Sequence, residues 1–177
     1  MTVNVASSSM SEINARANAT FVNNGATTLS YDSDVRVSQD VLGTGSFAVT
    51  QGASLVFLAA VGPGLTVSVS NTTVFGSGRL IIDHPNEFHG AVDLTYIPGA
   101  GAGVPQIDLL GLTKADSYSY HNDMLSIWSG KSVIETLLLA TSTPYGFTVQ
   151  RTKGGVSVIA DTANHSFPGA LPVHVGS

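Results

Sequence analysis

The 177-residue chain contains no cysteine, which excludes both a disulfide framework and a thiolate metal site. Charge is almost as scarce. Asp, Glu, Lys and Arg make up 11% of the residues, against ~25% in an average domain. The net charge is -5, and the seven basic residues (Arg16, Arg36, Arg79, Lys114, Lys131, Arg151, Lys153) are scattered. Nucleic acid and anionic membranes need a basic footprint, and the sequence has none. Tryptophan occurs once, at Trp128. The longest apolar run, Leu55–Val61, falls far short of the ~20 residues a membrane-spanning helix requires, so no membrane insertion is expected. Residues 1–10 carry neither a basic n-region nor an apolar h-region, so no signal peptide of the usual kind is visible.

Apolar residues and turn formers are plentiful. Hydrophobic side chains reach 43%, with 19 glycines. A disordered chain shows the reverse balance. The length fits one domain or one array of repeats, with a surface solvated by hydroxyls and amides.

The strongest signal is apolar alternation at period two, which places one face of a strand against a core. It runs through Val35/Val37, Phe47/Val49, Leu55/Phe57, Val67/Val69, Leu80/Ile82 and Val92/Leu94. It continues through Ile107/Leu109, Leu125/Ile127, Leu137/Leu139, Phe147/Val149 and Val156/Val158. Turn residues separate these runs: Gly43-Thr44-Gly45, Gly62-Pro63-Gly64, Gly76-Ser77-Gly78, Pro98 to Gly103, and Gly154-Gly155. Glycine supplies positive φ and proline presets φ, so each is a turn with a mechanism. Short strands at roughly 8–12-residue spacing predict an all-β sandwich, barrel or solenoid.

Two features favour a short parallel β-solenoid, with a β-sandwich as the alternative. Several strands are apolar at only two or three alternate positions. The stretches Gly45–Phe57 and Gly64–Phe75, each ending in Val-Phe, also look like degenerate copies of one coil. Residues 1–20 are expected to form an N-terminal arm or cap, and 21–177 the β body. Within the arm, Thr2-Val-Asn-Val-Ala6 is β-prone, and Ser11 to Ala19 is the one plausible helix, with Ser11 as N-cap.

Residues 45–160 resemble a segment of large bacterial secreted proteins of the β-helical adhesin and autotransporter-passenger type. The match runs through Gly52-Ala-Ser-Leu55 and Val67-Ser-Val69, then through Phe75-Gly-Ser-Gly-Arg-Leu-Ile-Ile-Asp-His-Pro-Asn-Glu-Phe-His-Gly90. Ile107-Asp-Leu-Leu-Gly-Leu112, Leu125-Ser-Ile-Trp128 and Phe147-Thr-Val149 complete it. The resemblance implies a β-helical fold, an extracellular or cell-surface location, and a structural or adhesive role rather than an enzymatic one. A short solenoid has two terminal coils that can stack on another copy, so assembly through its ends into filaments or matrix is expected, with cell-surface or matrix polysaccharide as a further partner. No cofactor is expected.

Two polar clusters are the candidate sites. Asp83, His84, Glu87, His89 and Asp93 offer carboxylates and imidazoles for a metal or for acid-base chemistry. No HExxH or Ca²⁺-loop motif accompanies them, and the resemblance makes the segment a solvated turn. Asp116, Tyr118, Tyr120, His121, Asn122 and Asp123 suit sugar binding, since aromatic faces stack on pyranose rings and amides bind hydroxyls. The preferred reading of the same residues is a hairpin alone, with Tyr118 and Tyr120 on one strand and His121-Asn122-Asp123 as its turn. There is no G-x-S-x-G elbow, and the glycine run 99–103 lacks the lysine of a phosphate loop. A carbohydrate-active or carbohydrate-binding β-helix is the second functional reading. Paired carboxylates such as Asp83 and Glu87 would be its acid and base.

Overall fold

A computed structural model of the protein describes residues 2–6, 10–13, 19–72, 76–99, 103–141, 146–161 and 169–174, with side chains from residue 19 onward. The fold is all-β. Its strands are β1 (Thr2–Ala6), β2 (Met10–Ile13), β3 (Phe21–Val22), β4 (Ala26–Ser30), β5 (Asp34–Val37), β6 (Val41–Leu42), β7 (Ser46–Val49), β8 (Ser54–Phe57) and β9 (Thr66–Ser70). They continue as β10 (Arg79–Ile82), β11 (Ala91–Thr95), β12 (Gln106–Leu110), β13 (Ser117–His121), β14 (Met124–Ser129), β15 (Ser132–Thr141), β16 (Phe147–Arg151) and β17 (Gly155–Ala160). All eleven alternating pairs read from the sequence fall within strands.

The strands form two mixed sheets. One has eight strands in the order β1-β4-β7-β9-β11-β15-β14-β13, and the other has seven in the order β16-β17-β12-β10-β8-β5-β2. β3 and β6 make a third, two-stranded element that isolated bridges extend through Val61 to Phe88. Neighbours from β1 to β15 in the first sheet and from β2 to β12 in the second are parallel. The pairs β13–β14, β14–β15, β16–β17 and β12–β17 are antiparallel.

Register explains the core. Phe47, Val67, Val92 and Leu139 align in one row of the first sheet, and Leu29, Val49, Val69 and Leu94 in another. In the second sheet Leu55, Leu80, Ile107 and Val158 form one row, and Val37, Phe57, Ile82, Leu109 and Val156 the next. Because strand faces alternate, these rows point inward together, and nearly every member is at most 1% exposed. Each such side chain contributes about 1.5–3 kcal/mol by leaving water. Phenylalanines join the elements across the interior. Phe47 and Phe57 meet edge-on at 5.6 Å, with Phe21 and Phe88 at 6.4 and 6.0 Å beyond them. The ten core residues expected from phase, namely Phe47, Val49, Leu55, Phe57, Val67, Leu80, Ile82, Leu109, Ile127 and Leu137, are all buried.

Some turns admit only glycine. A Cβ at Gly43 would lie 2.1 Å from the Asn23 carbonyl oxygen, and the residue has φ +114°. Buried amides bind the loops nearby: Asn23 Nδ2 donates to the Ser46 carbonyl, and the Asn71 side chain both donates to and accepts from Ile97.

One expectation fails. Residues 11–13 of the predicted Ser11–Ala19 helix are strand, because β2 pairs in parallel with β5 over four residues. Residues 14–18 lie outside the described residues. The β-prone Thr2–Ala6 pairs with β4 of its own chain. Of the expected turn from Pro98 to Gly103, residues 100–102 lie outside the described residues.

Candidate functional site

β13 and β14 are a two-residue hairpin. His121 pairs with Met124, and Asn122 and Asp123 both have positive φ, 50° and 58°. Two left-handed central residues define the type I′ turn, whose twist matches that of the flanking strands. Short polar side chains tolerate that conformation best, so Asn-Asp is suited to it.

The hairpin sets Tyr118 and Tyr120 on one face, where Phe147 of β16 meets both. The rings lie 6.1 Å apart for Tyr118 and 5.0 Å, perpendicular, for Tyr120. With Thr141, Gly146 and Val173 they line a pocket of about 310 Å³. The Tyr120 hydroxyl is turned into the protein, 3.0 Å from Asp123 Oδ1 and 2.9 Å from the Leu139 carbonyl. Burial, then the Asp123 carboxylate, push its pKa up to about 12. Burial also raises the Tyr118 phenol, with Asp161 adding to the shift. Both rings therefore stay neutral and present faces rather than charge.

Of the hairpin residues Tyr118, Tyr120, His121, Asn122 and Asp123, read above as suited to sugar binding, Tyr118 and Tyr120 share the pocket. Asp123 reaches it only through the Tyr120 hydroxyl. His121 and Asn122 are exposed in the turn and do not line it. Phe147 was read as a core position; its partly exposed ring is the pocket wall the sequence did not announce.

At the other end of β13, Asp116 accepts bonds from the Gly130 N–H at 2.6 Å and from Ser117 Oγ at 2.9 Å. These bonds hold its carboxyl below the usual range. Ser117 Oγ also lies 3.3 Å from His174 Nδ1. The order is carboxylate, hydroxyl, imidazole. A nucleophile relay requires the carboxylate on the imidazole instead, so this arrangement is a brace. His174 stacks on Trp128 at 4.0 Å with the rings parallel to 1°, and Trp128 Nε1 donates to Ser119 Oγ.

The cluster around Asp83 does not converge. Pro85–Glu87 is a single 3₁₀ turn followed by buried Phe88. His84 Nδ1 is 3.5 Å from Asp83 Oδ2, while Asp93 accepts from Thr95. Glu87 and His89 are exposed. Among the described residues no group of three His, Asp or Glu side chains is placed to hold a metal ion.

A polar group that residue spacing did not single out lies on the second sheet. Asp108, 5% exposed, accepts from Arg79 Nε at 2.6 Å, from Gln106 Nε2 at 2.7 Å, and from Ser157 Oγ. It sits where parallel pairing with β10 gives way to antiparallel pairing with β17. The signal was present in the chain: an aspartate at an alternate position of the apolar run Ile107–Leu110.

Comparison with family models, with curated proteins and with solved structures finds no match for the chain.

Proposed function

We propose that the chain is a short β-solenoid with a structural, adhesive role at or outside the cell surface, and that it catalyses no reaction. The solenoid reading is supported by recurrence. Ala26, Ser46 and Thr66 are successive partners in one sheet, Asp34 and Ser54 in the other, and Phe21, Val41 and Val61 along the third element. Each step is 20 residues, one circuit of the chain. A sandwich built from antiparallel hairpins gives no reason for that interval. The extracellular, adhesive part rests on the resemblance carried by residues 45–160.

The observation that carries the function is the end formed by β1 and β2. Each is the outermost strand of its sheet, and an open strand edge is a template for another chain. Structural proteins assemble through such edges. Analytical sedimentation over a concentration series tests this, and a particle that stays monomeric at high concentration overturns it.

A second reading, carbohydrate binding, is favoured by the Tyr118–Tyr120–Phe147 pocket, whose neutral aromatic walls suit the apolar face of a sugar ring. A glycan array with the wild-type chain and with Tyr118→Ala tests it. Binding that survives the substitution places the sugar elsewhere.

A further inference from the structure

The two ends of the molecule differ. At the β13/β16 end, the segment 169–174 acts as a strap over both sheets. Pro172 and His174 bond to Tyr118 of β13, while Gly169 and Leu171 bond to Arg151 and Val149 of β16. At the β1/β2 end, no described residue pairs with either outer edge. Natural edges are blunted by charge, proline or bulges. Thr2-Val-Asn-Val-Ala6 has no charge and no proline, and its register with β4 is unbroken over five residues.

We infer that this end binds a second copy of the chain about a two-fold axis, β1 antiparallel to β1 of the mate and β2 to its β2, and that assembly stops at the dimer. The inference rests on the structural reading above and specifies its partner. An occupant must offer two strand edges at once, spaced as the two sheets are spaced. The like end of another copy meets that condition, whereas the opposite end is engaged by its own strap. Where the two sheets face one another, a two-fold axis through β1 and β2 reverses strand direction and keeps each sheet on its own side, so that both pairs form together. The pairing is then antiparallel, the slightly stronger kind. For β1, a centre at Asn4 sets Val3 opposite Val5 and Thr2 opposite Ala6; for β2, whose one charge is Glu12, a centre between Ser11 and Glu12 sets Glu12 opposite Ser11, so no like charges are directly opposed. Once paired, the dimer carries a strapped end at each extremity, and the outer edges of both large sheets are covered.

Sedimentation equilibrium on the full chain should give a monomer–dimer isotherm whose limiting mass is twice 18.2 kDa. Asn4→Lys and Asn4→Glu should each weaken dimerisation about ten-fold, because each opposes a charge to its own copy. An equimolar mixture of the two should recover the wild-type affinity. Cooperative melting of each variant verifies that it folds. If either does not, hydrogen exchange on the wild type substitutes, with the amides of residues 2–6 protected only at dimeric concentrations. A wild-type monomer at every concentration overturns this inference together with the association reading. Masses that grow past two leave association standing and overturn the two-fold arrangement. A dimer indifferent to both variants, a mixture no tighter than either alone, or exchange at residues 2–6 independent of concentration overturns the proposed pairing.

Discussion

Ile82 is 1% exposed in the row Val37, Phe57, Ile82, Leu109. Neighbours on both sides fix its cavity, so Ile82→Ala should cost about 2–5 kcal/mol in denaturant unfolding. A near-neutral result would mean that the strand faces the other way. His84 and His89 are exposed, and replacing both with alanine should leave the melting temperature within about 2 °C of wild type. Tyr120 gives a pH signature. Its folded pKa of about 12 lies above the ~10 of an unfolded tyrosine. The neutral phenol is favoured by the fold, so its stabilisation is complete below pH ~10 and lost as pH rises towards ~12. Denaturant midpoints measured across that window should fall less steeply for Tyr120→Phe than for wild type. Core positions were legible in the sequence because period-two alternation maps directly onto one face. The Asp108 group was not, because its partners Arg79 and Ser157 are 29 and 49 residues away, and no local spacing encodes such a meeting.

The β13–β14 hairpin was equally legible, as alternating tyrosines followed by a polar turn. The segment 11–13 was misread as helix, since Ser11 offers a cap and the following residues are compatible with a turn of helix. Pairing with β5 overrides so weak a local preference. The strap 169–174 has no alternation to read, yet it joins β16 to β13 and buries Leu171 to 8% exposure. Its removal is a test at this scale. Deleting residues 169–177 should uncover two further strand edges, and light scattering should then report species larger than those of the full chain at equal concentration. An unchanged particle size would mean that these edges are protected by other means.

Across the molecule, paired residues of parallel neighbours lie 20 to 27 residues apart, and 47 apart for β11 and β15, while the pairs β13–β14, β14–β15 and β16–β17 are joined by short turns. Native-state hydrogen exchange should therefore be graded. Amides of β7 to β10, flanked on both sides, should exchange last, and those of the outermost strands β1 and β2 first. The same antiparallel region has a kinetic consequence. Closing a loop of 20 residues rather than two costs about 2 kcal/mol more in chain entropy, so the local hairpins are expected to form early and the parallel strand pairs afterwards. Folding is then expected to run from the C-terminal half backwards, opposite to the direction of synthesis, so that a chain emerging N-terminus first folds only once that half has arrived. Pulse-labelling exchange during refolding should protect residues 117–141 and 147–160 before residues 26–57, and the reverse order would place the nucleus among the parallel strands.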